Sequence, residues 1–131
     1  MSIETTLRTF LLQSTALTAA IAQRLYYQLA PQEVIMPYVV YWVLDDPNQK
    51  TEVGADGANP MFTFRIVAAR NRAVDITTIS DAIRTKICDY TGLISTTNIY
   101  RIECANIRDF PPEEDTDFLE RFCDYQVSYE R

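Results

Sequence analysis

The segment YVVYWVL at 38–44 constrains the fold more than any other part of this chain, because it is apolar on both faces of an extended strand. Successive side chains of a strand point to opposite faces of a sheet. One face therefore carries Tyr38, Val40, Trp42 and Leu44, and the other carries Val39, Tyr41 and Val43. Pro37 suits the first position of such a strand, where no ladder N–H is needed. The strand is predicted to be central and to need cover on both sides, for which a chain of 131 residues has little material.

Length and composition predict one domain, spanning residues 1–131. A chain of this size buries roughly two-thirds of the surface that its unfolded form exposes, and 47% of its residues are apolar, which is enough for a core. The longest apolar run, 35–44, contains a proline and is too short to span a bilayer. The N-terminus lacks the basic start and apolar block of a signal peptide. We therefore expect no membrane partner and a protein that stays where it is made.

Hydrophobic periodicity predicts a mixed fold. Helices are predicted near 3–13, 15–23 and 74–90, a short extended edge segment at 25–29, and strands at 38–44, near 61–68, and around 100–105 and 122–129. The helix near 74–90 has an isoleucine stripe at 76, 79, 83 and 87. We predict an α+β fold, with a mainly antiparallel sheet of about four strands, helices at the N-terminus, and the long helix (about 74–90) packed on one face.

The two faces of the 38–44 strand are expected to have different neighbours. One face should meet the 74–90 helix. The other should meet the N-terminal helix, a neighbouring subunit, or both. Residues 45–60 are read as a long polar loop, of a length that is usually functional or mobile in a compact domain.

The residue types exclude most catalytic chemistry. The chain has no histidine, which removes the commonest general base and the commonest metal ligand. Its three cysteines, Cys88, Cys104 and Cys123, lack metal-like spacing and are read as buried thiols. There is no glycine-rich phosphate loop. We predict a protein that is not an enzyme and has no cofactor, catalytic residue or metal site.

Carboxylates are the basis of the one enzymatic alternative. Asp45 and Asp46 lie near Asn48, and Asp56 lies near Asn59, which are ligand types that hard cations prefer. Their spacing does not match a calcium loop. A solvated loop is the favoured interpretation, and a carboxylate-dependent metal-binding enzyme is kept as the less favoured alternative.

Charge is unevenly distributed along the chain. The net charge of −6 argues against tight nucleic-acid binding. Residues 61–108 carry +3, whereas 45–60 carry −3 and 109–131 carry −6. A head-to-tail ring could use this polarity, because each subunit would present a basic patch to an acidic one on its neighbour. The candidate subunit or partner interface comprises Asp45, Asp46, Glu52, Asp56, Arg65, Arg70, Arg72, Glu113, Glu114 and Asp115.

Structural positions along the whole chain resemble those of a known family. The relevant sequences are IETTLRTFLLQSTALTAAIAQRLYYQLAPQEVIMPYVVYWVL at 3–44, FTFRIVAAR at 62–70 and DYQVSYE at 124–130. They resemble the tail-completion, or tail-terminator, family of long-tailed phages. The family has no catalytic motif, so no functional residue is carried over from it.

The resemblance implies a structural role. Members of the family are similar to small α+β ring proteins, often hexameric, that cap the finished tail tube and provide the surface for head–tail joining. The implied partners are further copies of the chain, the tail tube protein and a head-completion or neck protein, with DNA passing through the ring lumen without specific binding. The implied location is the tail–neck region of the virion, and the host cytoplasm during assembly. The 45–60 loop is then expected to contact a ring neighbour or the tube.

Two further alternatives stay open at this point. Another small phage neck protein, of the head-completion or stopper type, would have a similar composition. A generic dimeric binding module would also fit a strand that is apolar on both faces.

Overall fold

A computed structural model of the chain describes residues 3–44, 57–110 and 117–130. Its elements are α1 Ile3–Leu11, α2 Thr15–Ile21, β1 Leu25–Tyr27, β2 Tyr38–Leu44, β3 Gly57–Ala58, β4 Met61–Ala69, α3 Ala73–Ile87, β5 Gly92–Ile94, β6 Thr97–Phe110 and β7 Phe118–Glu130. The α+β class is confirmed, and the helix predicted near 74–90 is α3. The predicted count of about four strands is wrong, because the described residues form seven.

All seven strands belong to one sheet in the order β1-β2-β4-β7-β6-β5, with β3 pairing to β7 beyond the end of β4. Every pairing is antiparallel except that of β1 with β2, which is parallel. The strand predicted as central, β2, lies between β1 and β4. The long pair β6–β7 is interrupted by register shifts between Ile99 and Arg101 and between Cys104 and Asn106.

Local chemistry explains where the helices begin and end. Ser14 separates α1 from α2, because its hydroxyl accepts a hydrogen bond from the Leu17 N–H at 3.2 Å and caps α2. Helix α3 has Asp75 in its first turn and Lys86 in its last, as the helix dipole favours. It ends at Ile87, and Asp89 with φ 62° turns the chain away. Gly92, which follows this turn, begins β5.

One core lies between the sheet and all three described helices. Its largest buried side chains include Leu7 and Leu11 of α1, Leu17 and Ile21 of α2, Ile79 and Ile83 of α3, and Phe62, Phe64 and Tyr125 of the sheet. Tyr41 joins β2 to α1, because its hydroxyl donates a hydrogen bond to the Glu4 carbonyl at 3.1 Å. The expectation that an N-terminal helix covers the opposite face of β2 is therefore wrong. Helices α1 and α2 pack beside α3, on the same face of the sheet.

Among the described residues, no helix is long and apolar enough to cross a membrane.

Pro37, directly before β2, follows a cis peptide bond with Met36.

Candidate interaction surface

The face of the sheet opposite the helices is the first candidate surface, and we call it the uncovered face. Strand register places Val40, Arg65, Phe122 and Arg108 in one row across β2, β4, β7 and β6, and Trp42, Thr63, Asp124 and Asn106 in the next. Tyr38, Val67 and Glu120 form a third row. No described helix lies over these rows. Within residues 3–44, 57–110 and 117–130, this face is therefore built from side chains of the sheet.

Arg65 and Glu120 form an ion pair on the uncovered face. The Arg65 Nε donates a hydrogen bond to the Glu120 carboxylate. The Arg65 guanidinium also lies over the Phe118 ring, 5.9 Å from its centroid. Both charged side chains are about a quarter exposed, which leaves them partly screened by water. Arg65, predicted as an interface residue, is thus already paired within its own chain.

Asp124 holds a second cluster on the same face. Its carboxylate accepts a hydrogen bond from the Thr63 hydroxyl at 2.8 Å and two from Arg108 Nη2, at 3.1 and 3.2 Å. The Arg108 guanidinium lies 5.4 Å from the Phe122 ring centroid. Trp42 packs edge-on against the other side of this cluster, with its ring centroid 6.0 Å from that of Phe122. The result is a surface of paired charges and of aromatic rings that contact arginines and one another edge-on.

The uncovered face suits contact with another macromolecule better than it suits chemistry. Each of its charged side chains named above has an ion-pair partner, so none needs a bound ion to be satisfied. Packed aromatic rings and arginines that are held in place provide preorganised contact area. Among the described residues, no group of three or more Cys, Asp or Glu side chains is arranged to hold a metal ion.

Exposed apolar side chains form a second candidate surface, at the two edges of the sheet. Seven of the nine large apolar side chains exposed in the described part of the chain lie at these edges. The first-edge patch, at β1 and the segment after it, comprises Tyr27, Leu29, Ile35 and Met36. The last-edge patch comprises Leu93 of β5 and Tyr100 of β6, and Ile107 lies seven residues further along β6.

Comparison with known proteins adds the family. The family model described as tail completion protein gp17 matches residues 5–130. The chain belongs to the tail completion protein gp17 family. It is thus a structural protein of the phage virion, with its place in the tail.

Solved structures share the fold of this tail-completion family member. A chain from the virion of a native gene transfer agent particle is 14% identical, with a TM-score of 0.72, and the match covers 99% of this chain and 98% of that chain. A second solved structure is 9% identical, with a TM-score of 0.57 and coverage of 99% and 95%. At these identities the likeness concerns the fold alone. Among the curated proteins, none matches the chain significantly.

The structure places only part of the predicted interface of this tail-completion protein. Arg70 and Arg72 lie at the turn between β4 and α3, away from Arg65 on the uncovered face. Arg72 forms an ion pair with Asp75 at 3.1 Å, and this hydrogen-bonded contact raises the pKa of Arg72. The Arg70 side chain is exposed, and its backbone N–H donates to the Asp117 carbonyl at 3.0 Å. The other seven residues, Asp45, Asp46, Glu52, Asp56, Glu113, Glu114 and Asp115, lie outside the described residues.

Cavities in the described part of this tail-completion protein are small, and the charged pair that lines one of them is already joined by hydrogen bonds. One of about 180 Å³ lies between the start of α3 and the ends of β6 and β7. Its charged lining pair, Arg121 and Asp109, is joined at 2.6 and 3.1 Å, and the hydrogen bond raises the pKa of Arg121. Another, of about 320 Å³, is lined by small and polar side chains of α2 and α3. Neither cavity presents a reactive constellation.

The three thiols are free in the structure, as the sequence suggested, but they are not equally buried. Cys123 is fully buried, and its burial raises the pKa of its thiol. Cys88 and Cys104 are half-buried. Burial is the main cause that raises the pKa of the Tyr125 hydroxyl, and the three cysteines add smaller effects in the same direction. The cluster contributes to the core, where a free cysteine behaves as a small apolar residue.

Sequence reasoning missed the two edge patches. The exposed residues of the first edge lie in or beside QLAPQEVIMP at 28–37, a segment that contains several apolar residues and two prolines. That segment has neither a helical nor a strand period, so its pattern does not state which side chains are exposed. The three-residue strand β5, which positions Leu93 at the opposite edge, was not predicted at all.

Proposed function

We propose that this protein caps the completed phage tail tube as a homo-oligomeric ring and provides the surface to which the head is joined. The observation that carries the proposal is the family match over residues 5–130, nearly the whole chain. The proposed partners are further copies of the chain in a hexameric ring, the tail tube protein at one end, and a head-completion or neck protein at the other.

The described surfaces support a structural role. The uncovered face carries paired charges and aromatic rings that pack edge-on, and such groups provide area for a broad protein contact. The exposed edge patches are apolar and lie at opposite ends of the sheet, where two neighbours could be met at once. Large exposed apolar groups mark interaction sites in proteins that otherwise cover their cores.

Passage of DNA through the lumen without specific binding is part of the proposal. The net charge of −6 supports it, because tight sequence-independent binding of DNA needs a basic surface. This part of the proposal requires acids of 45–60 or 109–117 to face the lumen. A ring whose lumen is lined by arginines would overturn this part of the proposal without affecting the cap.

Electron microscopy of tail tubes tests the capping role. Tubes assembled from the purified tube protein are incubated with the chain and imaged, and tube length is measured when the chain is present during assembly. We expect density at one end of each tube and shorter tubes, because a cap stops further addition. The control is Val74→Glu, which changes an exposed apolar residue at the start of α3, away from both edge patches. It should cap as the unmodified chain does.

Decoration along the tube walls, or bare ends at saturating concentrations of the chain, would contradict the proposal. The same assay with isolated heads in place of tubes addresses the alternative of a head-side neck protein. Binding to the head portal without binding to tube ends would favour that alternative.

A further inference from the structure

Two acids on the uncovered face are already occupied by groups of their own chain. The Asp124 carboxylate accepts one hydrogen bond from the Thr63 hydroxyl and two from Arg108 Nη2, and its side chain is only 17% exposed. The Glu120 carboxylate accepts a hydrogen bond from Arg65 Nε, and its side chain is 25% exposed. These acids therefore offer little acceptor capacity to a partner.

The two arginines, in contrast, keep donors in reserve. A guanidinium has five N–H donors in a planar fork. Among the residues that the structure describes, Arg65 donates through Nε alone and Arg108 donates through Nη2 alone. The Nη groups of Arg65 and the Nε and Nη1 groups of Arg108 thus remain for a partner. The Arg108 side chain is 43% exposed, so these donors can be reached.

Trp42 adds a further donor on the same face. Within the described part of the chain, its indole N–H donates no hydrogen bond. Its half-buried ring packs edge-on against Phe122, with 6.0 Å between the ring centroids. Aromatic rings and arginines are the groups that protein interfaces favour. The uncovered face is therefore rich in donors and poor in free acceptors, which predicts a partner rich in acceptors.

The spacing of the two arginines fits an extended peptide. Arg65 and Arg108 lie in one row across the sheet, separated by Phe122 of β7. Two strand spacings of about 4.8 Å place their Cα atoms about 10 Å apart. In an extended segment, side chains that point the same way are two residues, or about 7 Å, apart. Glutamate side chains at these positions are long enough to reach both guanidinium groups, with the peptide backbone above Phe122.

Carboxylates fit this face better than the phosphates of nucleic acid do. Arginine binds both groups bidentately. A nucleic acid, however, brings a continuous row of negative charges. Glu120 and Asp124 beside the arginines, and the net charge of −6, oppose such a row. A peptide can place single acids opposite the arginines and neutral residues elsewhere.

We propose that the uncovered face binds an extended acidic segment of a partner protein through Arg65, Arg108 and Trp42. Two carboxylates of the segment accept hydrogen bonds from the free donors of the two arginines, a recognised mode of binding acidic motifs. A carbonyl of its backbone accepts from the Trp42 indole N–H. Such binding needs neither a ring nor a tube, so it stands or falls separately from the proposed cap.

Titration of the full chain with short peptides tests this site. The probe is the acetylated and amidated peptide Gly-Val-Glu-Val-Glu-Val-Gly, and the matched control has glutamine in place of both glutamates. Trp42 is the one tryptophan of the chain, so its fluorescence reports binding at this face. We expect a saturable change in emission with the acidic peptide. The glutamine peptide should bind about tenfold more weakly, because hydrogen bonds to charged groups are the stronger ones.

Arginine variants locate the site. Arg65→Gln and Arg108→Gln each remove one donor group and one positive charge, and each should weaken binding of the acidic peptide about tenfold. Arg72→Gln is the matched control, because Arg72 is also an ion-paired arginine but lies directly before α3. It should bind the peptide as the unmodified chain does. Circular dichroism melts check that all three variants remain folded.

A double variant separates recognition from repulsion. Arg108→Gln alone leaves Asp124 without its arginine, and an unpaired acid would itself repel the peptide. In Arg108→Gln/Asp124→Asn that charge is gone, yet binding should stay weak, because the arginine donors are still missing. Binding that recovers in the double variant would overturn the role of Arg108.

Other outcomes overturn the proposed partner in distinguishable ways. Equal binding of the acidic and glutamine peptides would show that carboxylates are not recognised. An equal loss in Arg72→Gln would show that only net charge matters. Tighter binding of a single-stranded oligothymidine, lost in Arg65→Gln and Arg108→Gln, would assign the face to nucleic acid. If sedimentation velocity shows a smaller oligomer for Arg108→Gln than for the unmodified chain, the face belongs to a second copy instead.

Discussion

The two faces of the sheet are buried by different means. On the helix-covered face, Phe62, Phe64 and Tyr125 are fully buried under three helices. On the uncovered face, Val40 is only 4% exposed although no described helix lies above it. Its neighbours on this face include Arg65 of the adjacent strand and Trp42 of its own strand. The comparison shows that the apolar character of β2 on both sides does not require two helical layers. One face packs against the helices and forms the core, and the other is a surface that a partner can contact.

The largest effect is expected from a cavity in the covered face. Phe64 is fully buried, and its ring lies 5.8 Å from those of both Tyr41 and Tyr125, measured between centroids. Phe64→Ala should lower the free energy of unfolding by about 3–5 kcal/mol, as deletion of a core aromatic ring does. Urea denaturation measures it. The control is Phe122→Ala on the uncovered face, which should cost clearly less. Equal losses would mean that the two faces do not differ in this way.

A smaller effect distinguishes two tyrosines within the covered face. Tyr41 donates its hydroxyl to the Glu4 carbonyl, whereas the buried Tyr125 hydroxyl has no oxygen or nitrogen partner among the described residues and only the weakly hydrogen-bonding Cys104 thiol beside it. Tyr41→Phe should therefore destabilise by about 1 kcal/mol, the net value of a typical hydrogen bond. Tyr125→Phe should be neutral or stabilising. Thermal melts of the two variants provide the test, and a clear loss for Tyr125→Phe would show that its hydroxyl is satisfied.

Alkaline pH sharpens the same comparison. Burial is the main cause that raises the pKa of Tyr41, from 10.0 to about 12. The raised pKa belongs to the folded state, so the stability linked to it is fully present below pH 10 and is lost as pH rises towards 12. Tyr41→Phe should lose less stability over that window than the unmodified chain. Urea midpoints at pH 9 and above would measure it, and identical pH profiles would contradict the assignment.

The smallest effect is expected on the uncovered face. The Arg65–Glu120 pair is partly exposed, so its coupling in a double-mutant cycle should be about 0.5–1 kcal/mol and should weaken with added salt. The variants Arg65→Ala, Glu120→Ala and the double variant complete the cycle. A coupling of several kcal/mol that is insensitive to salt would show that this face is buried more deeply than its exposure indicates.

Much of the fold follows from local pattern. The run that is apolar on both faces predicted β2, and alternating apolar residues predicted β4. The isoleucine stripe at 76, 79, 83 and 87 predicted α3 to within a few residues. Two short strands were missed for local reasons. β3 has two residues within a polar segment, and β5 has three that follow a turn at Asp89. A period cannot be recognised in so few residues.

The arrangement of layers was beyond local pattern. An apolar stripe indicates that one side of a helix is buried, but it does not indicate which face of the sheet that side packs against. The Tyr41–Glu4 hydrogen bond joins residues 37 positions apart, and it brings α1 to the same face as α3. The interface candidates were chosen by charge alone, and the three that the structure describes already have interactions within the chain. The edge patches depend on sheet order, which sequence periodicity does not contain.

A cryo-electron-microscopy reconstruction of the chain bound at the end of a tail tube would test the central claim most directly. We predict a closed ring of subunits at the tube end, with the tube coaxial with the lumen. A bound chain that forms no ring would contradict the account.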